Sequence, residues 1–115
     1  MVTQSDSHRD YATFDLARIV ELALAGKVVY VNSSVLRDTE NLGYSPDDVH
    51  QCLASLTAGD FACGEAYGSG PTKWHDVYKI SRYPSPTGHR DDLYIKLQIN
   101  KNCVTVLLYS FHRNR

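Results

Sequence analysis

From Leu93 to Ile99 apolar and polar residues alternate without a fault. Leu93, Ile95, Leu97 and Ile99 fall on one side; Tyr94, Lys96 and Gln98 fall on the other. Only an extended strand has a period of two, and so clean an alternation means one face against a core and one face away from it. A chain that carries this segment has to build a sheet and find something to cover one side of it.

The N-terminal half supplies the cover. Leu16, Ile19, Val20, Ala23 and Leu24 recur at helical spacing, with Thr13 as the expected cap, a start near Asp15 and a stop at Gly26. Lys27 to Val31 reads as a brief extended run. Ser33 or Ser34 opens a second helix, with Val35, Leu36 and Leu42 expected inward and Gly43 as its stop. Ser45-Pro46-Asp47-Asp48 combines a capping oxygen, a first-turn proline and two carboxylates at the positive end of the dipole. That third helix should bury Val49, Cys52, Leu53 and Leu56 and stop near Thr57.

The second half switches period. Cys63 to Pro71 holds three glycines and a proline and reads as a mobile loop. Trp74 to Ile80 is a strand, Ser81 to Asp92 a long connection, Asn100 to Asn102 a turn, and Cys103 to Phe111 a buried strand. Helices first and strands second predict an α+β domain, with N-terminal helices packed on one face of a C-terminal antiparallel sheet. The expected organisation is a polar, flexible tail at 1–10 and one domain over 11–115. With 115 residues, 43% of them apolar, one core is the limit. No apolar run approaches the roughly 20 residues that span a bilayer. The first ten residues lack the apolar stretch of a secretory leader, so the expected compartment is the cytoplasm. Cys52, Cys63 and Cys103 are too far apart in sequence for a zinc knuckle and read as reduced thiols.

The net charge of -1 conceals an asymmetry. Residues 1–60 carry four Lys and Arg against nine Asp and Glu, whereas residues 61–115 carry eight against four. The second half could therefore attract a polyanion. Its polar sheet face collects the chemistry. Tyr94, Lys96 and Gln98 lie on it, joined by Lys73, His75 and Lys79 if Trp74, Tyr78 and Ile80 face the core, and His112 follows in register. Two imidazoles, a phenol and several cations suit RNA cleavage without a metal. That reaction needs a base for the ribose 2′-OH, an acid for the leaving 5′-oxygen and fixed positive charge on the phosphate. Lys96 and Arg113 could hold the phosphate, and Tyr94 could orient or stack on the substrate. Cys63 reads as a small loop residue rather than a nucleophile, having no base near it in sequence. Asp91-Asp92 reads as a turn pair; Glu65 and Asp76, the other two acids of this half, make no metal cluster with it. No cofactor is expected.

Trp74-His75-Asp76-Val77-Tyr78, Leu93-Tyr94-Ile95-Lys96-Leu97 and Val104 to Ser110-Phe111, in that order, resemble the C-terminal half of the MqsR family. Asp15-Leu16-Ala17-Arg18, Ala25-Gly26-Lys27-Val28, Leu42-Gly43 and Leu56-Thr57-Ala58-Gly59-Asp60-Phe61 fall where that family has its helical features. The resemblance runs from about Tyr11 to Phe111. It implies a RelE-like, microbial-RNase-like fold, the activity of an mRNA interferase and a cognate antitoxin as partner, with action on mRNA on or off the ribosome and no membrane. It also implies sites. The family's lysine after the Asp-Phe pair is Cys63 here, and the glutamine after its tryptophan is His75. The tyrosine and lysine of its Tyr-x-Lys strand are Tyr94 and Lys96, and the lysine after its Ser-Phe pair is His112.

The resulting expectation is a toxin that cleaves mRNA by 2′-OH attack. His75, Tyr94, Lys96 and His112 would be its catalytic residues. Lys73, Lys79, Gln98, Arg113, Cys63 and Tyr67 would contact substrate. Two alternatives stay open: a non-catalytic member that binds RNA, the ribosome or an antitoxin, and a regulator holding a small nucleotide by the glycine loop.

Overall fold

The computed structural model describes residues 7–114. The order of elements is β1 (His8–Arg9), α1 (Leu16–Leu24), β2 (Val28–Tyr30), α2 (Ser33–Leu42), α3 (Pro46–Ala54), a 3₁₀ turn at Ala58–Asp60, β3 (Phe61–Ala66), β4 (Trp74–Pro84), β5 (Arg90–Ile99) and β6 (Val106–Arg113). The six strands form one sheet in the order β1-β3-β4-β5-β6-β2. All neighbours are antiparallel except β2, which runs parallel to β6 at the far edge. The fold is α+β and RelE-like, as expected from the order of the sequence patterns.

Each helix starts where a side-chain oxygen can accept an otherwise orphaned N–H. Asp15, not Thr13, caps α1 by accepting from Ala17. Asn32 caps α2 through Val35 N–H. Ser45 and Asp48 satisfy each other's backbone in a reciprocal box at α3, with Pro46 in the first turn. The helices bury Ile19, Leu22, Val49, Cys52 and Leu53 against Leu93, Ile95, Leu97 and Ile99 of β5 and against Val106, Leu108 and Phe111 of β6. Thus one parity of β5 is core throughout. Leu36 departs from expectation and faces solvent, while Thr39 takes the inward position and donates its hydroxyl to Leu36 O. Among the described residues no helix is long and apolar enough to cross a membrane.

Three segments differ from the sequence reading. First, Cys63 to Ala66 is not loop. It belongs to β3, whose FACGEA run lacks the alternation that would announce a strand. Second, the end of the polar 1–10 segment joins the sheet: His8 pairs with Glu65 and Arg9 with Gly64, and residues 1–6 lie outside the described part. Arg9 explains the glycine, since a Cβ at position 64 would sit 2.7 Å from Arg9 Cγ. Third, the long connection at 81–92 is mostly strand. A bulge between Ile80 and Tyr83 absorbs the irregularity, with Arg82 at φ 56 and its N–H donating to Asp92.

Candidate active site

The face of the sheet away from the helices is built from cross-strand rows. One row runs His8, Glu65, His75 on β1, β3 and β4, fixed by the pairings His8 with Glu65 and Glu65 with His75. A second runs Cys63, Val77, Lys96, Ser110. A third runs Lys79, Tyr94, His112. A bulge in β6 inserts Tyr109 between Ser110, opposite Lys96, and Leu108, opposite Leu97. Tyr109 therefore joins this face.

His75 is the centre of the tightest cluster. It is only 7% exposed. Its ring meets the Tyr109 ring edge-on at 4.5 Å and the Tyr67 ring edge-on at 5.1 Å. Its Nδ1 lies 3.0 Å from Lys73 O. A carbonyl only accepts, so Nδ1 keeps its proton and Nε2 is the nitrogen left to exchange one. Burial holds the imidazole below its ordinary value.

Lys96 reaches the same place from β5. Its ammonium donates to the Tyr67 hydroxyl at 3.0 Å and lies 4.0 Å from Glu65 Oε1. The Tyr67 hydroxyl in turn donates to Glu65. Tyr67 opens the Gly68-Ser69-Gly70 turn, in which both glycines have positive φ, and its ring is half-exposed. Burial, then Glu65, pushes the Tyr67 hydroxyl up to about 12. Cys63 lies 3.9 Å from Glu65, and burial followed by that carboxylate pushes its thiol up, away from the reactive thiolate.

The third row is separate. The Tyr94 and His112 rings stack at 5.1 Å with 10° between planes, and Lys79 Nζ lies 5.9 Å from the Tyr94 centroid. Burial raises the Tyr94 hydroxyl. His112 Nδ1 lies 3.0 Å from Arg113 O. Four positions along β5 and two strand spacings across it separate the two histidines, about 16 Å between Cα atoms at ordinary sheet spacing. His75 and His112 therefore do not converge on one phosphate.

The remaining expected substrate contacts are placed otherwise. Arg113 pairs with Leu93, so it projects to the helix side, where it meets Asp91 at 3.7 Å. Asp91 is buried and also accepts the Tyr44 hydroxyl at 2.9 Å. The Gln98 amide is fully engaged, donating to Thr72 O and Trp74 O and accepting from Tyr109. It fixes the Tyr109 ring and the end of the glycine turn. Lys73 points its ammonium toward Trp74, 5.8 Å from the ring, and contributes only its carbonyl to His75. Sequence reasoning passed over Tyr109, Glu65 and His8. The first needed the β6 bulge and the other two needed the pairing of β1, β3 and β4. A cavity of about 900 Å³ lies beside this cluster rather than on it, between the start of α1, the end of β5 and the start of β6, with Tyr109 and Gln98 in its wall.

The family model described as motility quorum-sensing regulator, toxin of MqsA, matches residues 11–113. The chain belongs to the MqsR toxin family. Membership makes it a toxin of a toxin–antitoxin system, and the matched span takes in α1 and every strand of the polar face except β1. A search of curated proteins gives no match.

Proposed function

We propose that this MqsR-family toxin is an endoribonuclease that cleaves mRNA in the cytoplasm and is restrained by an antitoxin of the MqsA kind. The observation that carries the reading is the convergence of His75, Lys96, Tyr67 and Tyr109 on the sheet face that the helices leave uncovered. An imidazole with one free nitrogen can move a proton at near-neutral pH. An ammonium beside it can stabilise charge that builds on a phosphate, most strongly where water is scarce. Aromatic rings at the rim can stack on unpaired bases, the usual mode of single-strand RNA recognition. In the reaction the ribose 2′-oxygen attacks the adjacent phosphorus and the bond to the 5′-oxygen breaks. The products end in a 2′,3′-cyclic phosphate and a 5′-hydroxyl.

His75 serves a proton transfer in this reading and Lys96 holds the phosphate. Tyr94, His112 and Lys79 contact the strand one or two nucleotides away. The test is expression of the chain alone, with growth followed and cellular RNA mapped for new 5′ ends. Arrest with new ends at one short motif, absent from a His75→Ala variant, supports the reading. Folded protein that neither arrests growth nor creates ends overturns it in favour of a non-catalytic RNA- or antitoxin-binding member.

A further inference from the structure

Cleavage by 2′-OH attack needs two proton transfers at one phosphate, and His112 is too far from His75 to supply the second. We infer that Glu65 is the missing catalytic group: its carboxylate takes the 2′-OH proton, and the His75 imidazolium gives its Nε2 proton to the leaving 5′-oxygen. The inference rests on the endoribonuclease reading above.

Position is the first argument. Glu65 and His75 are directly opposite each other on β3 and β4, so their Cβ atoms lie about 4.5–5.5 Å apart and both side chains rise from the same face. That spacing lets two groups flank a single phosphate. Lys96 completes the set: its ammonium is 4.0 Å from Glu65 Oε1, placing a fixed cation where the phosphate oxygens must lie between acid and base.

Elimination is the second. Asp76, the neighbour of His75 in sequence, faces the helix side. It is fully buried, and it accepts the N–H groups of Thr13 and Phe14 at 2.9–3.0 Å. Asp92 accepts Arg82 N–H beyond the third row, and Asp91 is held by Tyr44 and Arg113. Among the described residues this leaves Glu65 as the carboxylate beside His75. The Tyr67 hydroxyl and Cys63 thiol hold their protons too tightly to act as the base.

The present contacts fit a resting state. Tyr67 and Lys96 both hold the Glu65 carboxylate and aim it into the face. An entering phosphate competes for Lys96, and the glycine turn lets Tyr67 move aside. The step balances. One O–P bond forms at the 2′-oxygen and one breaks at the 5′-oxygen. Glu65 gains the proton that leaves the 2′-OH, His75 loses the proton gained by the 5′-OH, and exchange through solvent restores both.

The experiment uses the purified full chain and an RNA oligonucleotide spanning the mapped cleavage site, with the melting temperature of each variant recorded. Glu65→Gln keeps the size and the hydrogen bond to Tyr67. It should lower kcat by about 10²–10⁴-fold, the usual span for a general base, with KM within about threefold. Glu65→Asp, which keeps the carboxylate, should retain more activity than Glu65→Gln. A second substrate with sulfur in place of the leaving 5′-oxygen separates the roles, because a thiolate departs without a proton. His75→Asn, which preserves a donor to Lys73 O, should regain activity on it, and Glu65→Gln should not. Wild-type kcat in Glu65→Gln, or faster cleavage with lower KM, would mean that Glu65 merely restrains Lys96, and overturns the inference. Rescue of Glu65→Gln by sulfur overturns the assignment of base and acid. If wild-type protein cleaves no RNA, the endoribonuclease reading itself falls.

Discussion

The two imidazoles of the polar face sit in unlike surroundings. His75 is almost wholly buried, wedged between two tyrosine edges, tethered through Nδ1 and opposite a carboxylate. His112 lies flat on Tyr94 near the sheet's far end, partly open to solvent, with a lysine and no carboxylate in its row. A proton-transfer group needs a fixed orientation and a partner for the second proton; a nucleotide-contacting group needs an open ring. Under the proposed nuclease reading, these surroundings suit His75 to the first role and His112 to the second, although the sequence presents them as equals.

The most drastic way to break this contrast is to remove each ring in turn. His75→Ala should lower kcat for RNA cleavage by about 10²–10⁴-fold and abolish growth arrest. His112→Ala should act on KM, by about tenfold, which matches one lost stacking contact of 1–3 kcal/mol. Equal losses of kcat in the two variants would dissolve the distinction. The lysines offer a second comparison. Lys96→Met, beside Glu65, should cost about 30–100-fold in kcat/KM, as expected for one charge-assisted contact to the transition state. Lys79→Met, in the row of Tyr94, should cost only about threefold, the share of a rim charge. Single-turnover cleavage assays read both.

The pH profile sharpens the contrast further. Burial lowers the His75 value, so the imidazolium that acts as the acid is lost as pH rises through a value below the ordinary 6.5. The falling limb of kcat/KM should therefore lie below 6.5. A limb at or above the ordinary value would mean that His75 is not the donor. The smallest test concerns the reverse of the same strand. Asp76→Ala removes the acceptor for Thr13 and Phe14 N–H and should lower unfolding free energy by about 2–3 kcal/mol in urea titrations, for two backbone donors left without a partner.

How much of this was legible in the sequence depends on what each residue needs in order to be placed. The Leu93–Ile99 alternation requires only itself, and the structure follows it residue for residue on the core side. Helix starts needed only a capping oxygen close to a periodic run, which is why α3 was plain and the α1 cap missed by two positions. β3 was illegible because its glycine and small residues answer to Arg9 crossing above them, a contact between segments 55 positions apart. Glu65 is invisible for the same reason: its meaning comes from what stands opposite. Arg113 was misplaced because successive residues of a strand face opposite sides, so it cannot share the face that holds His112. Cross-strand partners and bulges are long-range properties, and a local pattern does not hold them.

The parallel pairing of β2 with β6 has a consequence for how this molecule is made. Val28, Val29 and Tyr30 pair with Val106, Leu107 and Leu108, 78 positions later in the chain. Tyr109, which walls one side of His75, lies on the same strand β6. Non-local pairings form slowly, and during synthesis they cannot form before both strands have emerged. Until β6 is in place the face around His75 and Lys96 lacks Tyr109, and β2 has no partner strand. The polar face is thus completed by the same strand that joins the sheet to β2.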